Sequence, residues 1–276
     1  MKTSKEKNGS KYLFLLLGGF LILVPLLATL FSSFKTTPDI MNNFFSLPNP
    51  ATLDNFKRLL KDGIGHHFLN SALITLLSLI VVTAIIPMAA YSLARKMSKS
   101  KAYALMYFFL ILGIFVPFQV IMIPITVMMS RIGLANMWGL ILLYLTYAIP
   151  QTLFLYVGFI KLNIPISLDE AAEIDGASRF TTYFKIIFPM LKPMHATVII
   201  INALWFWNDF MLPLLILNRD SKMWTLPLFQ YNYTGQYFND YGPSFASYTV
   251  GIITITLVYL VFQRNIIAGM SNGAVK

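Results

Sequence analysis

Ile164-Pro165-Ile166-Ser167-Leu168-Asp169-Glu170-Ala171-Ala172-Glu173-Ile174-Asp175-Gly176-Ala177-Ser178 is a short charged island in a chain that is otherwise mostly apolar. Ser167 followed three residues later by Glu170 has the spacing of a capping box, which predicts a helix starting at Leu168. Asp169 and Glu170 then fall in the first turn, where the helix dipole favours negative charge. Gly176 is placed to end the helix in the left-handed conformation. About two turns of helix are too few to be stable alone in water, so the segment needs something to dock against. A second short amphipathic piece follows, with Phe180, Phe184 and Ile187 at helical spacing and Pro189 and Pro193 as stops. Ala171, Ala172 and Ala177 would let a partner surface approach closely.

The flanks of this island decide the fold class. On either side lie long apolar runs, about 137–160 and 195–217, and four more occur at about 12–34, 69–94, 103–129 and 245–267. Each is long enough to cross a bilayer, which takes about 20 residues of helix. Of the 276 residues, 57% are hydrophobic and only 12% charged, with a mean hydropathy of +0.68. A soluble domain carries roughly twice that charged fraction. In lipid the backbone must satisfy its own hydrogen bonds, which helices do. The alternation over ~10-residue segments that marks an outer-membrane barrel is absent. The expected class is therefore an all-α integral membrane protein with six spans, read as one domain over 1–276 with residues 161–193 as a loop within it. The run at 12–34 is too long for the apolar core of a signal peptide and lacks a clean cleavage site, so it reads as an uncleaved first span.

The formal charge of +10 follows topology and gives no reason to expect nucleic acid as a partner. With the N-terminus inside, the inner segments hold 14 Lys and Arg and the outer segments 7. That bias has the sign of the positive-inside rule and puts both termini and the 161–193 loop in the cytoplasm. Pro25, Pro87, Pro117, Pro124, Pro150 and Pro213 fall inside the predicted spans and predict kinks. The outer segments are more than hairpins, since 35–68 contains the turn Leu47-Pro48-Asn49-Pro50 and an amphipathic stretch from Leu53 to Leu60. Trp224, in the Tyr- and Asn-rich segment 218–244, fits an interfacial aromatic belt.

The chemistry on offer is sparse. There is no cysteine, which removes disulfides and thiolate chemistry. His66, His67 and His195 have no metal-ligand spacing, and the adjacent pair reads as a solvated loop. No Ser-His-Asp arrangement is defensible. No GxxxxGK[ST] occurs, so the chain carries no P-loop for ATP. Asp209 is the acidic residue placed inside a span, and intramembrane carboxylates are costly enough to face a partner or a cavity. It reads either as a hydroxyl or gate contact facing such a cavity or as a bundle-stabilising hydrogen bond with Asn208 or Asn202. Gln119, Trp205, Trp207 and Asn208 are candidates for lining a substrate path, with plain packing as the alternative for the aromatics.

Taken in order, Glu170-Ala171-Ala172, Gly176, Ile186 and Pro189 resemble the EAA loop of ABC importer permeases. The hydrophobe before the proline is Phe188 where the family usually has Leu. Trp207-Asn208-Asp209-Phe210 with Pro213 looks like helix 5 of the carbohydrate-type permeases, and Ala90-Tyr91-Ser92-Leu93-Ala94-Arg95 fits the same group. The ending Gln263-Arg264-Asn265-Ile266-Ile267-Ala268-Gly269-Met270, then Gly273-Ala274-Val275-Lys276, resembles the tail of their second permease subunit, of multiple-sugar or raffinose type. The resemblance implies the type I importer fold in a bacterial cytoplasmic membrane. It implies a second homologous permease, two ATPase subunits and an extracytoplasmic sugar-binding protein as partners. No cofactor belongs to this chain, and ATP with magnesium sits on the partner ATPase. The loop, with Glu170, Ala171, Ala172, Asp175, Gly176 and Ala177, would couple to that ATPase. The alternative is an ion-coupled secondary transporter, which usually shows more intramembrane charge and an internal repeat.

Overall fold

The computed structural model describes the backbone of residues 3–234 and 240–274, and the side chains of Gly9, 11–234, 240–260 and Gln263. Fourteen α-helices follow one another among those residues, with no strand. They are α1 Thr3–Ser32, α2 Thr37–Asn42, α3 Asp54–Lys61, α4 Ile64–Lys96, α5 Lys101–Leu112, α6 Phe118–Arg131 and α7 Met137–Asn163. After these come α8 Ser167–Ile174, α9 Arg179–Thr182, α10 Phe188–Met190, α11 Lys192–Asn208, α12 Met211–Leu217, α13 Leu226–Gln230 and α14 Tyr241–Ala274. Lys2, Val275 and Lys276 lie outside the described residues.

Four of the six expected spans are continuous helices, covering Lys11–Ser32, Ile64–Lys96, Met137–Asn163 and Tyr241–Leu260. Pro25, Pro87 and Pro150 sit inside three of them. The third expected span, 103–129, is not straight. Lys101–Phe115 and Phe118–Arg131 meet at 102°. The cause is local: Pro117 has no N–H and biases the residue before it away from helix, and Val116 is extended at φ −84°, ψ 109°. The fifth, 195–217, is interrupted too, since α11 ends at Asn208 with Asp209 extended at φ −69°, ψ 127°. A further bend of 71° separates Arg179–Met190 from Lys192–Asn208. Two of the six spans are therefore composite.

The chain divides into two compact units, described separately. Unit 1 comprises Met1–His66 and Leu228–Val258. Its polar interior centres on Lys35, whose side chain is 1% exposed. The ammonium donates to the carbonyls of Asn43 (2.9 Å) and Phe44 (3.0 Å) and to Ser46 Oγ (3.2 Å). All three of its protons are thus used without a carboxylate. Asn55 on α3 donates to the carbonyls of Ser33 and Lys35 at 2.9 and 2.8 Å. Arg58 pairs with Asp240, whose other oxygen accepts from Thr37 at 2.9 Å. Tyr233 donates to Asp62 at 2.7 Å; burial, aided by that bond, pushes its phenol above the usual value.

Replacing Lys35 by Met keeps the volume but removes all three bonds: the Phe44 carbonyl loses its ammonium donor, whereas the Asn43 carbonyl keeps the amide and hydroxyl of Ser46. The expected cost is about 2 kcal/mol, read as a lower melting temperature of the purified protein in detergent.

Unit 2 comprises His67–Pro227 and Tyr259–Lys276, and α7 is its axis. The α7 helix packs against α5, α11 and α12. Leu140, Tyr144, Leu153, Tyr156 and Ile160 of α7 are essentially inaccessible, as are Ile187, Leu191 and Val198. His66 and His67 belong to the first turn of α4 and not to a loop, and His66 is exposed as expected. His67 is buried, with Nδ1 3.1 Å from the carbonyl of Trp224, which also accepts from Asn70 at 3.0 Å. Trp224 is thus held by α4 within this unit.

Candidate functional site

The 161–193 segment builds its own local structure. Its helix, α8, begins at Ser167, one residue before the expected start, and no side chain caps it. The capping box does not form. Ile166 is already helical at φ −64°, ψ −30°, so the carbonyls of Pro165 and Ile166 take the first amides and Ser167 falls inside the helix. The other end follows expectation. Gly176 adopts φ +74°, Ala177 N–H reaches the carbonyl of Ala172 at 2.9 Å, and Gly176 N–H that of Glu173 at 3.0 Å. These two bonds are the Schellman closure.

Ser178 then caps α9 through a bond from Thr181 N–H at 3.2 Å. Tyr183–Ile187 form a π-helical turn between α9 and α10. One extra residue per turn rotates the register. This breaks the expected stripe, since Ile187 is fully buried while Phe180 is 70% and Phe184 53% exposed. Pro189 lies in α10, and the helical run ends one residue beyond it, at the 71° bend around Leu191.

Within α8 the side chains divide by face. Ala172 is 4% exposed and turned into the chain, whereas Glu170, Ala171 and Asp175 are exposed and Ala177 half-buried. The exposed surface also carries Ile174, Phe180 and Phe184. Between α8 and the end of α4 lies an open cleft of about 610 Å³, lined among others by Tyr91, Arg95, Lys99, Glu170, Glu173 and Arg179. Its inner wall is made by residues outside the sequence-based candidate set. Asp169 accepts the Tyr91 hydroxyl on one oxygen and pairs with Arg95 Nη2 at 2.7 Å on the other. Arg95 also donates to the carbonyls of Ile164 (3.0 Å) and Pro165 (3.3 Å). The available signal was the spacing of Tyr91 and Arg95, four apart and so on one helical face at the end of an apolar span.

The substrate-path candidates lie elsewhere in the same unit. Trp205 packs edge-on to Tyr144 (5.9 Å between ring centres) and against Phe206 (5.1 Å). Trp207 meets Phe68 edge-on at 5.4 Å. Asn208 donates to the Leu204 carbonyl of its own helix at 2.7 Å, and Asn202 to Thr152 at 3.3 Å and Val198 at 2.9 Å. The expected bond from Asp209 to either asparagine is therefore not made. Asp209 Oδ1 instead accepts from Met211 N–H at 3.1 Å, starting α12, and the carboxylate neighbours the Tyr144 hydroxyl. Its Oδ2 and the Tyr144 oxygen are buried without a closed hydrogen bond. Gln119 is exposed at the second position of α6, directly after the break at Pro117.

A helical membrane protein with composite spans and a short helix exposed on a loop between two of them fits the membrane component of a transporter. Residues 86–272 match the family of binding-protein-dependent transport system inner membrane components, and the chain belongs to that family. It is 77% identical over 266 residues to the multiple sugar-binding transport system permease protein of Streptococcus mutans, covering 96% of each chain. It is 35% identical over 276 residues to a probable starch degradation products transport system permease protein of Thermoanaerobacterium thermosulfurigenes, covering 99% of each. A chain in the crystal structure of a bacterial ABC transporter involved in the import of the acidic polysaccharide alginate superposes with a TM-score of 0.82. It covers 96% of this chain and 98% of its own at 19% identity, and so has the same fold. The chain is therefore an ABC importer permease of the inner-membrane family and not an enzyme, and the ion-coupled alternative falls away. Membership implies a binding protein and an ATPase among its partners.

Proposed function

We propose that this chain forms part of the translocation path of an ATP-driven importer for a sugar or oligosaccharide of the multiple-sugar or raffinose kind. The observation that carries the substrate class is the 77% identity, over 96% of both chains, to a multiple sugar-binding transport permease. The working assembly pairs the chain with a second homologous permease, two ATPase subunits and an extracytoplasmic sugar-binding protein in a bacterial cytoplasmic membrane. Both termini and residues 161–193 face the cytoplasm. ATP and magnesium bind the partner ATPase; the chain itself holds no cofactor.

In this reading α8 is the coupling helix. Glu170, Ala171, Asp175 and the exposed Ile174 and Phe180 meet the ATPase, Ala172 seats the helix against its own chain, and Gly176 with Ala177 turns the chain into α9. Closure of the ATPases moves α8 as a rigid body, and the spans rock between inward- and outward-facing states. Sugar passes Trp205, Trp207, Asn208, Asp209 and Gln119, where aromatic faces stack on sugar rings and the polar groups meet hydroxyls.

The experiment is ATP hydrolysis by the reconstituted complex with binding protein and a panel of raffinose, melibiose and maltooligosaccharides. Stimulation by at least one of these sugars is expected, and Glu170→Ala should lower it by about tenfold, a coupling of ~1.4 kcal/mol. Full stimulation in the Glu170→Ala complex would remove that residue from the coupling contact. Stimulation by none of the sugars would remove the substrate class.

A further inference from the structure

Asp169 and Glu170 are adjacent acids on a two-turn helix, and they face different ways. Successive helical residues are about 100° apart. Glu170 is exposed, whereas Asp169 points back at the end of α4, with 20% of its side chain accessible and 14% of that of Arg95. One Asp169 oxygen accepts the Tyr91 hydroxyl and the other forms a 2.7 Å ion pair with the Arg95 guanidinium, which also donates to the carbonyls of Ile164 and Pro165 just before α8. The guanidinium lies 5.8 Å from the centre of the Tyr91 ring. Arginine's planar fork suits this work because it ties several acceptors at once in fixed geometry.

The contacts continue inward. The Tyr91 ring is 5.6 Å from that of Tyr183, the first residue of the π-helical turn. Tyr183 is 5.9 Å from Phe188, Phe188 is 4.5 Å from His195, and His195 Nδ1 is 2.6 Å from the Tyr156 hydroxyl on α7. Without the Asp169 contacts, α8 would be seated mainly by Ala172, the one α8 residue that is fully buried. A helix of eight residues has little stability of its own.

We infer that Asp169, Arg95 and Tyr91 form a latch that makes α8 and the C-terminal end of α4 one mechanical piece, so that displacement of α8 is delivered directly to α4. The three are positioning residues. The inference rests on the reading of α8 as the coupling helix, and it divides the labour between neighbouring acids: Glu170 faces the outside partner, and Asp169 holds the helix to its own chain.

The test uses the complete complex in vesicles with whichever panel sugar stimulates wild-type hydrolysis most strongly, and it reads sugar imported per ATP hydrolysed. Asp169→Ala, Arg95→Met and the double variant are compared with wild type and with Glu170→Ala. Each single latch variant is expected to import about tenfold less sugar per ATP. The double variant should lose far less than the product of the two single losses, because both remove the Asp169–Arg95 pair and each adds only a smaller contact of its own. A merely structural role would lower the amount of assembled complex without changing that ratio. Asp169→Asn keeps an acceptor for Tyr91 but not the ion pair, and an intermediate loss is expected. It carries the test if Asp169→Ala does not assemble. An unchanged ratio in the latch variants, or losses that multiply in the double variant, overturns the latch. A wild-type ratio in Glu170→Ala beside a loss in the latch variants counts against the Glu170 contact and leaves the latch standing. The opposite pattern overturns the latch and leaves the coupling contact intact.

Discussion

A Gly176→Pro complex is expected to assemble in the membrane and to lose sugar-stimulated ATP hydrolysis almost entirely. Gly176 sits at φ +74°, and its N–H bonds the Glu173 carbonyl at 3.0 Å. Proline fixes φ near −65° and has no N–H, so it can supply neither feature. The cost of forcing it into the turn is about 3 kcal/mol or more, and α8 has too few turns to absorb it. The closing bond from Ala177 to Ala172 goes with the turn, and with it the direction in which the chain enters α9. At a factor of ten per ~1.4 kcal/mol, about a hundredfold fall in stimulated activity is expected. Gly176→Ala, which keeps the N–H but strains the left-handed backbone, should cost about 1–2 kcal/mol. Gly176→Asn should be milder still, because asparagine visits this conformation more readily. Stimulation of the proline variant at the wild-type level would show that the turn plays no part in coupling.

Gly139→Ala is expected to be the most damaging single methyl group in the membrane part. The α6–α7 turn doubles back so closely that a Cβ on residue 139 would lie 1.8 Å from the Leu134 carbonyl oxygen and 2.7 Å from Met129 Cε. Met129 is itself buried and has little room to yield. Leu134 is pinned by its N–H bond to the Met129 carbonyl at 2.8 Å. Asn136 caps α7 by accepting from Trp138 and Gly139 N–H at 3.0 and 3.1 Å. Both sides of the clash are backbone held by hydrogen bonds, so relief requires opening the turn. A cost of about 3 kcal/mol, at the upper end for overpacking, is expected. It would appear as a lower melting temperature in detergent and a smaller yield of folded protein. Gly158→Ala in the same helix meets nothing within 4 Å and serves as the control. Alanine there should be neutral or stabilising by a few tenths of a kcal/mol, as helix propensity favours it. Equal stability of the two variants would mean that the turn is looser than this geometry.

The class of the protein was already determined by its sequence, because run length and charge placement report the solvent directly. A stretch such as Ile64–Lys96 has one low-energy solution in a bilayer, and the structure adopts it. The left-handed turn at Gly176 was legible for a related reason, since its requirement is a property of one residue's backbone. Other features depend on elements distant in the chain. The start of α8 at Ser167, one residue before the expected Leu168, lies where Arg95, 69 residues before Ile164, grips the carbonyls just ahead of the helix. The π-helical turn that separates Phe180 and Phe184 from Ile187 leaves no pattern in the residues themselves. The same holds for Asp209, whose expected partners within the protein, Asn208 and Asn202, lay in its own predicted span while its actual neighbour, Tyr144, comes from α7. Local preference and hydrophobic run length are additive along a chain and can be read from it. The pairing of a buried carboxylate with one guanidinium or one phenol depends on which helices pack together, and only the tertiary structure decides that.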